Sequence, residues 1–179
     1  MTESREFHCD KIVRFQHCDP AGIVFFPQYF VLFHEVIEDW FNDGLGVDYA
    51  GFIGNEKLGI PTASIQAEFV SPGKHGETLR FGLRVREIGR SSIKLRLTAC
   101  VGTELRARID QTVVLFSLEQ RYAVAVPIEL KERMLMFSGN ECPSRGCSPL
   151  RGRALHAHLL NARGSTGRRV VRNKPSTEG

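Results

Sequence analysis

His17-Cys18-Asp19-Pro20-Ala21-Gly22-Ile23-Val24-Phe25-Phe26-Pro27-Gln28-Tyr29-Phe30 is the stretch around which the rest of this chain is organised. It sets one acid in a Pro/Gly turn and follows it with bulky apolar residues. Pro27 then stands where a helix can open, because proline's missing N–H does no harm in a first helical turn, and Gly44 suits the stop. The spacing predicts a helix over 27–43. At about 100° per residue, Phe26, Tyr29, Phe30, Leu32, Phe33, Val36, Ile37, Trp40 and Phe41 share one side. Gln28, Glu35, Glu38, Asp39 and Asn42 share the other. The apolar arc spans roughly half the circumference, wider than an ordinary surface helix needs, so a large surface must cover it. The acid is also well sited for chemistry. Backbone N–H groups at a helix start are unpaired and can hold a developing oxyanion, while a carboxylate beside them can attack or activate water.

Working outward, residues 7–16 read as a strand with Phe7, Ile12, Val13 and Phe15 as its apolar members. Residues 44–60 hold five glycines and read as a loop with a short helical turn near 47–52. Four strands are then predicted. Over 62–70, Ala63, Ile65, Ala67 and Phe69 alternate with Thr62, Ser64, Gln66 and Glu68. Over 77–87, Leu79, Phe81, Leu83 and Val85 alternate with Arg80, Gly82, Arg84 and Arg86. The pattern repeats over 91–101, and a long strand covers 104–118. Period-two alternation with short turns means antiparallel strands with one covered face. A helix over 127–137 closes the unit. One aromatic helix and such a sheet make an α+β layer, the sheet wrapped on the helix.

At 179 residues, with 42% hydrophobic and 25% charged residues, the chain has the composition of a globular protein with one sizeable core. No apolar run approaches the roughly 18 residues of a membrane span, and the polar start Met1-Thr2-Glu3-Ser4-Arg5-Glu6 is unlike an export signal. A cytoplasmic protein is the expectation. Residues 1–137 carry 16 Lys/Arg against 18 Asp/Glu, whereas 138–179 carry 8 against 2. The net charge of +4 therefore belongs to the tail, and a nucleic-acid-binding body is disfavoured. The chain divides into a domain over 1–137 and a basic extension over 138–179, which has no aromatic residue and reads as disordered. Five cysteines, an odd number without an export signal, read as free thiols.

The stretch Asp19-Pro20-Ala21-Gly22, its small apolar run, its aromatics and the Pro27-Gln28-Tyr29 helix start resemble the signature of the 4-hydroxybenzoyl-CoA thioesterase group of hot-dog fold proteins. The order of elements over about 7–137 resembles that group too. The resemblance implies an antiparallel sheet of about five strands wrapped around one long central helix. It implies a homodimer joined sheet edge to sheet edge, often paired into a homotetramer, with active sites at the dimer interface. It implies hydrolysis of acyl- or aroyl-CoA thioesters with no metal and no cofactor. Asp19 matches the family's catalytic carboxylate, and the backbone N–H near Phe26 its thioester-polarising donor. Arg90 and Ser91, in the Gly89-Arg90-Ser91-Ser92 turn, match the nucleotide-contacting loop by position. The chain departs from the pattern at Phe26, where similar proteins often carry Tyr or His.

Each residue also has a plainer reading. Asp19 can simply cap its turn. Gly22 permits close backbone approach to a ligand, or merely joins loop to helix. Arg90 belongs to a set of eight Lys/Arg over 80–108, most of which sit on polar strand faces and read as solvated. The His-Cys pairs at 8–9 and 17–18 are too far apart for a usual zinc spacing. Glu35 and Glu38 fall on the polar helix face. A non-hydrolytic protein that holds acyl-CoA or an acyl carrier is the alternative function, kept open by Phe26.

Overall fold

The structure, a computed structural model, describes residues 5–139. In order come β1 (Phe7–Ile12), α1 (Phe26–Asp39), α2 (Tyr49–Gly54), β2 (Leu58–Gly59), β3 (Thr62–Phe69), β4 (Thr78–Ile88), β5 (Ser92–Val101), β6 (Glu104–Val114), β7 (Phe116–Ser117), β8 (Tyr122–Ala123) and α3 (Ile128–Leu135). Five strands form one sheet in the order β1-β4-β5-β6-β3. Every neighbouring pair in it is antiparallel. β2, β7 and β8 form a small second sheet that the alternation did not reveal. The basic extension from residue 140 onward lies outside the described residues, as does any reading of its order.

α1 lies across the sheet and buries Tyr29, Leu32, Phe33, Val36 and Ile37. Phe33 meets Phe81 of β4 edge to face at 5.3 Å. Around that contact Leu83, Leu95, Leu97 and Ile109 are fully buried. This is the α+β arrangement expected, and it follows from the breadth of the apolar arc. A helix with half its surface apolar is stable only under a sheet that can cover it.

Three boundaries differ from the sequence reading, each for a local reason. β1 stops at Ile12 rather than 16, because the Arg14 N–H donates to His17 Nδ1 at 3.1 Å and turns the chain. The single strand expected over 104–118 is broken at Leu115, whose N–H goes to the Ser91 carbonyl at 2.7 Å. Beyond it, Phe116 and Ser117 pair with β2. The helix runs past Gly44 and ends one residue before a left-handed glycine, Gly46 at φ +62°. It widens into one π turn over Trp40–Gly44, with the Leu45 N–H on the Trp40 carbonyl at 2.8 Å. Gly44 is needed for space, since a Cβ there would lie 2.7 Å from the Trp40 ring.

Among the described residues β3 is an edge strand with its other side unpaired. Alternation predicted that one of its faces would be covered, yet Ile65 and Phe69 are 43% and 45% exposed. Of the thiols expected to be free, Cys9 and Cys18 are, while Cys100 is disulfide-bonded, which corrects the expectation there. Among the described residues, no helix is long and apolar enough to cross a membrane.

Candidate active site

Residues 17–25 form a small hairpin whose turn is Asp19 to Gly22. Gly22 N–H donates to the Asp19 carbonyl at 3.0 Å, and Asp19 N–H to the Ile23 carbonyl at 2.9 Å. Cys18 and Val24 bridge antiparallel below the turn. The residue choices suit such a turn: Asp first, Pro second, Gly fourth. Gly22 takes φ +76°, and an added Cβ would meet nothing within 4 Å, so backbone conformation rather than crowding calls for glycine. The Asp19 side chain also caps the turn, with Oδ1 accepting the Ala21 N–H at 2.8 Å. Among the described residues its second oxygen has no donor.

The hairpin brings the helix start back beside the acid. Phe25 N–H donates to the His17 carbonyl at 2.9 Å, so α1 begins across from the residue two before Asp19. Gln28 N–H bonds the Phe25 carbonyl at 2.8 Å, and Pro27 has none to give. Among the described residues the Phe26 N–H has no acceptor. It is the open donor of this helix end, where the helix dipole also favours negative charge. Gly22, in contrast, spends its N–H inside the turn and contributes shape and closeness rather than a donor.

A cleft of about 350 Å³ opens on this turn, lined by Phe15, Cys18, Asp19, Pro20, Gly22 and His75. His75 had no prior claim on the site. It sits in a loop 56 residues beyond Asp19, and long-range contacts bring it here, the pairing of Ile23 with Lys74 among them. Next to the helix start stands a group of aromatic rings. Phe69, at the end of β3, lies 6.1 Å from Phe26, 5.6 Å from Tyr29 and 6.2 Å from Phe30. Phe25 packs on Phe26 at 5.5 Å, and both are about half exposed. Burial pushes the Tyr29 phenol above its ordinary range. Burial pushes His17 below its ordinary value of 6.5, and its Nδ1 already accepts the Arg14 N–H.

Arg90 and Ser91 do not meet Asp19 within the chain. Ile12 pairs with Thr78, which puts the Asp19 hairpin at the start of β4, and the Arg90 turn follows the far end of that strand. Ten residues at about 3.3 Å each separate the two ends by roughly 33 Å. Of the other basic strand residues, Arg96 and Arg108 form ion pairs with Asp110 and Glu68 on the outer sheet face. Arg106 is only 8% exposed, against the expectation of solvated strand cations. Glu35 and Asp39 both reach Lys11, at 3.2 and 2.8 Å, on the polar side of α1.

The family model for the Thioesterase-like superfamily matches residues 13–134, from the end of β1 to the closing helix. The chain belongs to that superfamily. A 1,4-dihydroxy-2-naphthoyl-CoA hydrolase of Thermosynechococcus vestitus is 30% identical to this thioesterase over 118 residues, 65% of this chain and 80% of that protein. A 1,4-dihydroxy-2-naphthoyl-CoA thioesterase from Synechocystis superposes with a TM-score of 0.64 at 20% identity, over 73% of this chain and 96% of that one. A gentisyl-coenzyme A thioesterase gives 0.64 at 21% identity, over 73% and 99%. The two superpositions establish the hot-dog fold for this thioesterase. Its chemistry is thioester hydrolysis.

Proposed function

We propose that this acyl-CoA thioesterase hydrolyses aroyl-CoA esters, with Asp19 as nucleophile or general base and the Phe26 N–H as the donor to the thioester carbonyl. The observation that carries the reading is a carboxylate with one oxygen fixed and, among the described residues, no donor to the other, beside a helix start whose N–H has no acceptor among them. A thioester has an electrophilic carbonyl and a good leaving thiolate, so a held carboxylate and one oriented donor are chemically sufficient. Phe26 offers no side-chain donor, and the backbone N–H supplies that function. The ring group of Phe25, Phe26, Tyr29, Phe30 and Phe69 favours a flat aromatic acyl group, which can lie edge-on or offset against such rings. The relatives named for dihydroxynaphthoyl-CoA and gentisyl-CoA are in keeping with this.

The substrate's CoA end and the assembly go together in this proposal. β3 offers an open edge whose exposed Ile65 and Phe69 call for a second copy. Antiparallel pairing of β3 with the same strand of a partner turns the partner end for end. The partner's copy of the 89–92 turn then lies at the Asp19 end of the first chain. Arg90 and Ser91 would hold the CoA phosphates across the dimer, Arg90 by its planar fork. The test is a panel of aroyl-, short-chain and medium-chain CoA esters with release of free thiol followed in time. Aroyl esters should give the highest kcat/KM. Tight CoA binding with no thiol release on any ester would instead support a holding protein.

A further inference from the structure

The turn that carries Asp19 does not hold itself in place. Among the described residues, its hydrogen bonds to parts of the chain distant in sequence come from one loop, residues 71–77. Val24 N–H donates to the Gly73 carbonyl at 2.8 Å, and His75 N–H to the Gly22 carbonyl at 3.1 Å. Ile23 bridges Lys74. That loop has two glycines of its own, one of them Gly76 at φ +84°, so its shape must be imposed from elsewhere.

Arg106 imposes it. Its Nη2 donates to Glu77 Oε1 at 3.0 Å, and its Nη1 to Ser71 Oγ at 3.1 Å and Glu104 Oε2 at 2.9 Å. The second Glu77 oxygen accepts the Lys74 N–H at 2.8 Å. The Arg106 carbonyl accepts the N–H of Val70 and of Ser71. One guanidinium thus grips both ends of the loop, Ser71 and Glu77, and through Glu77 it also reaches Lys74, the residue bridged to Ile23. The Arg106 side chain is 10% exposed and that of Glu77 22%. Among the described residues the buried Arg106 Nε has no partner. Holding a charge in this way brings little net stability over an apolar plug, but a guanidinium fork fixes direction as a single ammonium cannot.

We infer that Arg106, acting through Glu77, is a positioning residue that sets the Asp19 turn for reaction. The inference rests on the catalytic role proposed for Asp19. Arg106 touches no reacting atom. Its effect is on placement, where a shift of about 1 Å at a reacting group can cost roughly 100-fold in rate.

The test uses the full chain and the best ester of the panel, with Arg106→Gln, Arg106→Lys, Glu77→Gln and the Arg106/Glu77 double variant. Arg106→Gln and Glu77→Gln should each lower kcat by about 10- to 100-fold with KM within about threefold, and the double should be no worse than either single. The Val24 and His75 amides should exchange faster with solvent in each, and Arg106→Lys should fall between these variants and the unmodified protein. Glu6→Gln breaks the Glu6–Arg84 pair, 2.9 Å long and on the far edge of the sheet, and controls for a general loss of stability. It should keep kcat. Should Arg106→Gln fail to fold, Glu77→Gln keeps a neutral acceptor of the same shape and gives the same readings. A folded variant with unchanged kcat overturns the proposal, and so does lost kcat with both amides still protected. Asp19→Asn run in parallel separates the two ideas. Activity surviving there removes Asp19 from the mechanism, while amide exchange still reports whether Arg106 holds the turn.

Discussion

Replacing Asp19 by asparagine separates structure from chemistry more cleanly than any other single change. The asparagine carbonyl can still accept the Ala21 N–H that now lies 2.8 Å from Oδ1, so the turn survives. What is lost structurally is the difference between a charge-assisted and a neutral hydrogen bond at a half-exposed site, about 1 kcal/mol or less. For a domain of this size that lowers the melting midpoint by roughly 3–5 °C. What is lost chemically is the only role that needs the charge. A missing general base costs about 10²–10⁴ in rate, or roughly 3–5 kcal/mol of barrier, and a missing nucleophile at least as much. The assay is thiol release from an aroyl-CoA ester beside a thermal melt of the same sample. Asp19→Asn turning over within about tenfold of the unmodified protein would refute the reasoning, and so would a melt that collapses together with the activity. A single turnover in heavy-oxygen water, with enzyme in excess, then bears on the two roles. Label in the Asp19 carboxylate marks a nucleophile whose mixed anhydride water opens at the Asp19 carbonyl, whereas label in the acid product marks water attacking the acyl carbonyl, as a general base requires.

Other consequences can be measured on the same preparations. Gly73→Ala puts a Cβ 2.7 Å from the Tyr29 hydroxyl and 3.2 Å from Val24, an overpacking that should cost about 1–3 kcal/mol in denaturant unfolding. Adding Tyr29→Phe should recover most of it. His17 is held below its ordinary 6.5 chiefly by burial, so the folded state binds fewer protons than the unfolded one. Its share of stability is complete above that value and is lost as pH falls through the depressed folded value. Thermal midpoints should therefore drop as pH falls below His17's ordinary 6.5, and less steeply in His17→Gln. If β3 pairs with a second copy as proposed, Ile65→Lys, which places a charge in the middle of the edge strand, should shift the protein to monomer in light scattering, with most of the activity lost.

Much of this was legible because local rules and global shape agree. Asp19, Pro20, Ala21 and Gly22 each suit their turn position, and the aromatic arc of α1 demanded the sheet that four alternating strands supplied. Phe26 could be singled out because a helix start leaves its donors open wherever the helix occurs. Arg106 could not. A basic residue on the polar side of a strand normally points to water, and only the loop folding back over β6 buries this one. His75 was hidden for the same reason, since nothing local ties residue 75 to residue 19. Arg90 and Ser91 show the opposite difficulty. Their turn is recognisable, but the strand between them and Asp19 sets them at the far end of the same chain.

The bare edge of β3 has a consequence for how this protein behaves in a test tube. Phe69 closes one side of the ring group at the helix start, yet it belongs to the strand whose other side is unpaired among the described residues. Were a second copy to seal that edge as proposed, the wall of the proposed acyl site and the seam of the assembly would be one surface. Specific activity would then depend on the enzyme's own concentration and fall on dilution as the seam opens, before any part of the chain unfolds.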